Sequence, residues 1–446
     1  MKRVHLLCLP LCVAATLLAQ SNPILPVDQP LVLKTKLSSN SSQATGRALY
    51  TFTGGSDGSF PFSLTSDASG NLYGMTGGGG DISNCSGLGC GVVFKLSPGS
   101  SGGWIETVLY TFSGGADGAF PIAGLILDSA GNLYGMTNGG GYLGNGVVFE
   151  LSPTSSGTWN ENVLYTFTGG TDGGRPYGSL IFDSAGSLYG SAGIGGNLSR
   201  CPRNGGCGVI FELSPASGGA WQESVLYAFN GGAAGAFPDA SLVFDAAGNL
   251  YSTTIEGGDF SRCQGGCGVV FELSPTSIGF WKETVLHAFT GSSDGSVPTA
   301  GLAFDTVGNL YGTTKQGGKN GWGVVFKLSP NSSGTWKETL LHTFTDGADG
   351  AFPSAGVILD AAGNLYGTTE VGGGSFNFCS AGCGVVFELS PTSNGVWKGL
   401  ALHTFTGGKD GVEPFAGLIF DAAGNLYGTS QGGIPNGAGV VFKITP

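Results

Sequence analysis

Charge is scarce in this 446-residue chain: Asp, Glu, Lys and Arg together supply 11% of it. An ordinary globular domain carries about a quarter, so Ser, Thr, Asn and Gly must provide the polar surface. Basic clusters are also lacking. Lys and Arg number 18 against 30 acidic residues, for a net charge of −12, and they are scattered. Neutralising a phosphate backbone or an anionic membrane needs clustered cations, so neither nucleic acid nor acidic lipid is expected as a partner. Helical apolar periodicity is missing throughout the mature chain. The Gly-X-Y period of collagen is missing too, despite 85 glycines. There is no Walker loop, no HExxH and no Ser-His-Asp order. The double-glycine steps lack the strand-loop-helix context of a phosphate loop.

What is present begins with an export signal. Met1-Lys2-Arg3 is a charged start, Val4 to Leu18 is an apolar run, and Ala19 suits the residue before a cut. Residues 1–19 are therefore expected to be a signal peptide, and the protein to be secreted, periplasmic or on the cell surface. Residues 20–47 read as a polar linker. No later segment has the length and hydrophobicity of a membrane span.

Residues 48–446 are repetitive. One phenylalanine marks the period at Phe52, Phe112, Phe167, Phe229, Phe289, Phe344 and Phe405, in steps of 60, 55, 62, 60, 55 and 61 residues. Each unit holds four strand signals. An apolar run such as Leu418-Ile419-Phe420 suits a strand buried on both faces. Asn-Leu-Tyr-Gly-Thr follows after an Asp-Ala-Ala-Gly turn. The third is Gly-Val-Val-Phe-Glu-Leu, ended by a Pro that cannot donate to a ladder. The fourth runs from a Trp into the marker Phe. Seven such units imply an all-β, seven-bladed propeller of four-stranded antiparallel blades. The N-terminal unit has only a fourth strand, and the C-terminal unit lacks one. The first strand, Leu49 to Phe52, is therefore expected to pair with Val440 to Phe442 and close the ring, which removes the exposed sheet edges. A monomer is expected.

Eight cysteines of the mature chain lie as four local pairs in the glycine-rich loops before the third strand: Cys85 with Cys90, Cys201 with Cys207, Cys263 with Cys267, and Cys379 with Cys383. The other three units have neither member. Joint presence or absence in an exported chain points to disulfides; a closed zinc site would need four ligands, and no His is nearby.

The segments GVVFELSPT, LYTFTGGxDGxxP and FDAAGNLYGTT resemble the Gloeobacter/Verrucomicrobia-type tandem repeat, across about nine-tenths of the chain. That resemblance implies an exported bacterial protein with a propeller-like fold and no assigned activity. Phe420 to Tyr427 is also similar to NHL-type propellers, which supports the strand order alone.

Candidate functional residues are few. His287, His342 and His403 stand where sister units have Tyr, which points to packing or a rim hydrogen bond. The regular Trp set from Trp104 to Trp397 suits packing between blades. Trp322, outside that register and in a loop, is a candidate ligand contact. The GGxDG turns supply Asp57, Asp117, Asp172, Asp294, Asp349 and Asp410, with Ala234 in the remaining unit. Asp-Gly is ordinary turn chemistry. A carboxylate ring at the channel mouth that binds Ca²⁺ or a cationic ligand is the alternative. Near-identical inner strands are expected to leave little room for an asymmetric catalytic centre. The expectation is thus a non-catalytic binding or scaffold protein that meets an extracellular protein or carbohydrate on its variable-loop face. The competing expectation is a lactonase- or lyase-like propeller with a divalent cation in its channel.

Overall fold

The computed structural model describes residues 44–201, 205–374, 378–433 and 437–446. The expected signal peptide and nearly all of the linker lie outside them. Strands form seven separate antiparallel sheets. Blades 1 to 6 occupy residues 59–111, 119–166, 174–228, 236–288, 296–343 and 351–404, and blade 7 joins 412–445 to Thr45–Thr51. Closure is as expected: Ala48 pairs with Phe442, Tyr50 with Val441 and Thr51 with Val440, and the amide of Phe52 donates to Gly439 O at 3.0 Å. The closing strand starts at Thr45, so the last residues assigned to the linker belong to the sheet.

The repeat phenylalanines explain why the period exists. Each marker Phe is fully buried at the end of an outer strand, and its ring meets the third-strand Phe of the next blade edge-on. Phe52 and Phe94 lie 5.0 Å apart, Phe112 and Phe149 5.2 Å, and Phe405 and Phe442 5.1 Å. Edge-on rings of this kind contribute beyond the area they bury. The Gly of Asn-Leu-Tyr-Gly makes room: a Cβ on Gly74 would sit 2.6 Å from Phe94 Cζ. On the outside the Trp column bridges blades as expected, with Trp104 against Tyr427 at 6.2 Å and Trp336 against Tyr251 at 6.3 Å.

Inner strands are shorter than their apolar runs suggest. Only Ile419–Phe420 pairs as a regular strand where Leu418 to Phe420 was expected. The cause lies just upstream. Phe60, Phe120, Arg175, Phe237, Val297, Phe352 and Glu413 share one column and all adopt left-handed φ, between 51° and 60°. Such a conformation costs on the order of 1 kcal/mol or more for a non-glycine residue and persists only when its surroundings impose it. Here the imposing contact is an amide that points into the previous blade. Phe120 N donates to Cys90 O at 2.9 Å, Phe237 N to Cys207 O at 2.9 Å, and Phe60 N to Ala438 O at 2.8 Å. Second-strand hydroxyls add a further tie. Thr313 Oγ1 donates to Ala355 O at 2.8 Å and Thr429 Oγ1 to Phe62 O at 3.0 Å.

The Asp of each Asp-Ala-Ala-Gly turn is structural. Asp67 Oδ1 accepts from the amides of Ser69 and Asn71 at 2.9 Å each, while Oδ2 accepts from the Asn71 side chain and the Tyr73 hydroxyl.

Candidate ligand site on the loop face

The GGxDG turns and the loops between second and third strands share one face, because they bond to each other. Gly80 N donates to Gly55 O at 2.8 Å, Gly141 N to Gly115 O at 2.8 Å, and Gly373 N to Gly347 O at 2.8 Å. The four disulfides lie here too, each within its own loop, with Cα separations of 5.1 to 5.4 Å. Their second cysteines, Cys90, Cys207, Cys267 and Cys383, supply the carbonyls that hold the left-handed column. The staples therefore fix the acceptor side of the inter-blade latch. Trp322 stands in this same column. Its carbonyl accepts from Phe352 N at 3.0 Å and its half-buried ring packs on Phe352 at 5.0 Å. In that blade the aromatic pair holds the latch where four others use a disulfide.

The GGxDG carboxylates are engaged locally. Asp57 Oδ2 accepts from Thr53 N at 2.8 Å and from the Tyr50 hydroxyl at 3.0 Å, and Oδ1 from Thr53 Oγ1 at 2.5 Å. Asp117 and Asp172 repeat this with Tyr110 and Tyr165. Asp349 accepts from His342 Nε2 at 3.0 Å; the same pair is 3.4 Å apart in Asp410–His403 and 3.6 Å in Asp294–His287. The partners are outer-strand residues, so each Asp faces its own blade seam and not the channel mouth. Among the described residues no three His, Cys, Asp or Glu side chains come together as a metal cluster would.

The channel mouth itself differs from expectation: it is asymmetric. The residue after each inner-strand Pro is Phe62, Ile122, Tyr177, Asp239, Thr299, Ser354 and Phe415 in blades 1 to 7. Phe62, Ile122, Tyr177 and Phe415 form one apolar cluster across the axis with Ala355 and Ala416. The opposing column, at the end of each second strand, is Gly77, Asn138, Gly193, Ile255, Lys315, Glu370 and Gln431. Lys315 Nζ lies 2.5 Å from Glu370 Oε1 and 5.3 Å over the Phe415 ring, and Ser354 Oγ also donates to Glu370. Glu413 stands beside this pair; burial, then the Glu370 charge, raise its carboxyl above the ordinary value against the pull of Lys315.

Asp239 is the unusual member. It is 7% exposed, and its Oδ1 has no hydrogen-bond partner. Burial, with the neighbouring Glu256 charge second, pushes its carboxyl up to about 8. Burial raises Glu256 as well. Glu256 lines an open cavity of about 500 Å³ between blades 4 and 5, with Arg262, Gln264, Ser296 and Gln316 on its other walls. Sequence reasoning passed over these residues because the strand motifs around them repeat so closely. The signal that finds them is variation of chemistry within one repeat column.

Around this mouth the loops present apolar tips: Ile82, Leu88, Tyr142, Leu143, Leu198, Phe260 and Phe378, all from 49% to 83% exposed. They come from five blades. The opposite face exposes Ile278, Phe280, Val307 and Val396, in blades 4 to 6 only.

Fold and site together define a closed seven-bladed propeller with an asymmetric channel mouth on its disulfide-stapled face. The chain belongs to the Gloeobacter/Verrucomicrobia repeat family, whose model matches residues 35–264 and 260–446. No curated protein matches it. Among solved structures it is similar to a luciferin-regenerating enzyme, with 11% identity, a TM-score of 0.42, and coverage of 90% of this chain and 95% of that one. It is also similar to a protein of unknown function from Dyadobacter fermentans, with 13% identity, a TM-score of 0.42, and coverage of 80% and 98%. At these values neither likeness carries an argument about function.

Proposed function

We propose that this is an exported binding protein whose loop face docks an extracellular protein. The observation that carries the reading is the crown of exposed apolar loop tips, from Ile82 to Phe378, around the channel mouth. Separate apolar residues on a surface need no explanation, but exposed tips from five blades on one face, against three blades on the other, favour that face as an interaction site. Apolar tips suit a protein surface better than a carbohydrate, which would call for stacked exposed aromatics with polar neighbours. Disulfides brace the loops that carry Ile82, Leu88, Leu198, Phe260 and Phe378, so little ordering entropy is lost there on docking. The disulfides fit an oxidising compartment.

A photo-crosslinking residue at position 142 tests the reading, with the same residue at position 307 as the opposite-face control. In the secreted fraction of producing cells, a discrete protein adduct from 142 and none from 307 is the expected result. Adducts from 307 alone would overturn it, and a glycan adduct at 142 would favour the carbohydrate partner.

One observation favours a second reading, a propeller enzyme. Unlike polar groups from several blades do converge at the mouth, and Asp239 is a carboxyl held near neutrality, as a proton donor or acceptor must be. A divalent cation belongs to this reading, and elemental analysis of the purified protein tests it.

A further inference from the structure

Asp239 and Gly193 stand in a relation that the molecule uses elsewhere for a different purpose. Second-strand residue 193 of blade 3 faces the residue after the inner-strand Pro of blade 4. A Cβ on Gly193 would collide with Asp239 Oδ1, so the carboxyl occupies the space a side chain would take. Two blades further round, the same column holds Lys315. Its ammonium meets Glu370, and Glu370 also accepts from Ser354, the residue after the Pro of blade 6. One side of the mouth thus supplies its own ammonium to a carboxylate, lodged over the ring of Phe415. The other side has the carboxyl, a second acid in Glu256 and a glycine where the lysine would be.

A buried carboxyl oxygen without a donor is costly, and native structures rarely keep one without a ligand or water to satisfy it. The rest of Asp239's column is aromatic, aliphatic or hydroxylic, so packing alone does not call for an acid there. The apolar cluster of Phe62, Ile122 and Tyr177 belongs to blades 1 to 3 and offers apolar surface to the carbon stem of an incoming amine.

We infer that Asp239 anchors a primary-ammonium site at the channel mouth, in which a ligand's –NH₃⁺ takes the part that Lys315 plays toward Glu370. The inference rests on the loop-face reading and gives the docked partner its chemistry: an exposed lysine side chain, or a free alkylamine of the same headgroup. Binding requires Asp239 to ionise. Below about pH 8 the carboxyl holds its proton, so an ammonium must displace it. Affinity therefore strengthens as pH rises toward 8, and protons are released on binding.

Calorimetry on the full mature chain at pH 6.5 and 7.5, in two buffers of different ionisation enthalpy, tests this. The probes are ethylamine, a short N-terminally acetylated peptide with one internal lysine, the same peptide also acetylated on that lysine, and tetramethylammonium. The expected result is saturable binding of the lysine peptide or ethylamine alone, stronger at pH 7.5, with net proton release. The peptide binding and ethylamine failing would assign the source to protein lysine, and the reverse to a free amine. Asp239→Asn should weaken binding at least tenfold and abolish the proton release. Gly193→Lys should abolish amine binding, because its side chain claims the space that Asp239 Oδ1 occupies. Gly193 has an ordinary backbone φ, so the replacement carries no backbone strain. Wild-type protein that binds no primary ammonium, or Asp239→Asn that binds as well as wild type, overturns the inference. If the crosslink from position 142 is seen while no amine binds, the loop-face reading stands and the ammonium site alone fails.

Discussion

The seams between blades fall into two kinds. In five of them the outer strand of the following blade sends in a glutamate: Glu106, Glu161, Glu223, Glu283 and Glu338. In the other two the same column is glycine, Gly399 and Gly46. At the glutamate seams one carboxylate oxygen is buried without a hydrogen-bond partner, and burial pushes each carboxyl up to about 7. The GGxDG Asp of the preceding blade adds to that rise at four of the five; the fifth has Ala234, and there the Tyr227 hydroxyl opposes it instead. The glycine seams pair His342 with Asp349 and His403 with Asp410. Burial works against those two aspartates, yet their hydrogen bonds from His and Thr hold them below the ordinary range. His287 sits between the two kinds. It lies 3.6 Å from Asp294 and 3.9 Å from Glu338, and burial lowers it despite them. One repeated seam architecture therefore holds opposite proton preferences in different seams.

The sharpest way to break the comparison is to open one glycine seam. Gly46 lies on the closing strand, so removing residues up to Phe52 should abolish cooperative unfolding in a thermal melt, because blade 7 loses its fourth strand and the ring its closure. Removing residues up to Gln43 should leave the melt unchanged.

The next effect is pH dependence. The glutamates sit near 7 in the folded chain, against an ordinary value of 4.5. Their contribution is full below 4.5 and lost as pH rises through 7. The loss should be on the order of 1 kcal/mol per seam, since these side chains are only partly withdrawn from water. Urea midpoints should fall from pH 5 to pH 8, and replacing all five glutamates with Gln should flatten the profile. The His–Asp seams act in the other direction. Their stability is present above the ordinary Asp value and is lost as pH falls through the lowered one, so they should govern unfolding in strong acid. A urea midpoint that does not change between pH 5 and pH 8 would remove the distinction between seams.

Smaller effects separate the two glycines. A Cβ on Gly46 would lie 2.6 Å from His403 Nδ1, whereas on Gly399 the nearest His342 atom is 3.7 Å away. Gly46→Ala should destabilise by about 1–3 kcal/mol. Gly399→Ala should be neutral or stabilise by up to about 1 kcal/mol, since alanine has less chain entropy to lose. Equal outcomes in chemical denaturation would mean that the His contact does not control the seam. The staples should have an effect of similar size. Cys263→Ser with Cys267→Ser should cost no more than about 2 kcal/mol, because a loop closed over a sequence separation of 4 constrains the unfolded chain little. Trp322→Ala, which empties one of the three unstapled latches, should cost about as much or more.

Much of this was legible beforehand. The period of the marker Phe, the four strand signals and the unequal termini led to seven closed blades. Paired cysteines led to local disulfides. Trp322 is expected from its loop position as a ligand contact, and being out of register with the other Trp residues conceals that it is in register with the cysteines. The GGxDG aspartates were expected around the channel and lie in the seams, because strand order alone does not say which way a turn carboxylate points. Asp239 and Lys315 were overlooked within motifs that repeat on either side of them.

Local physics explains the division. Strand formation, turn chemistry and the burial of each marker Phe depend on residues close in the chain, and seven copies repeat those signals until the sequence by itself determines a ring of four-stranded blades. The channel mouth, the seams and the latches each join residues about one repeat apart, and a single copy shows only half of each contact. Only the tertiary structure could decide that Gly193 leaves its place to Asp239, that Glu338 meets His287, and that Lys315 finds Glu370, because burial and electrostatic coupling exist only once neighbouring blades are side by side.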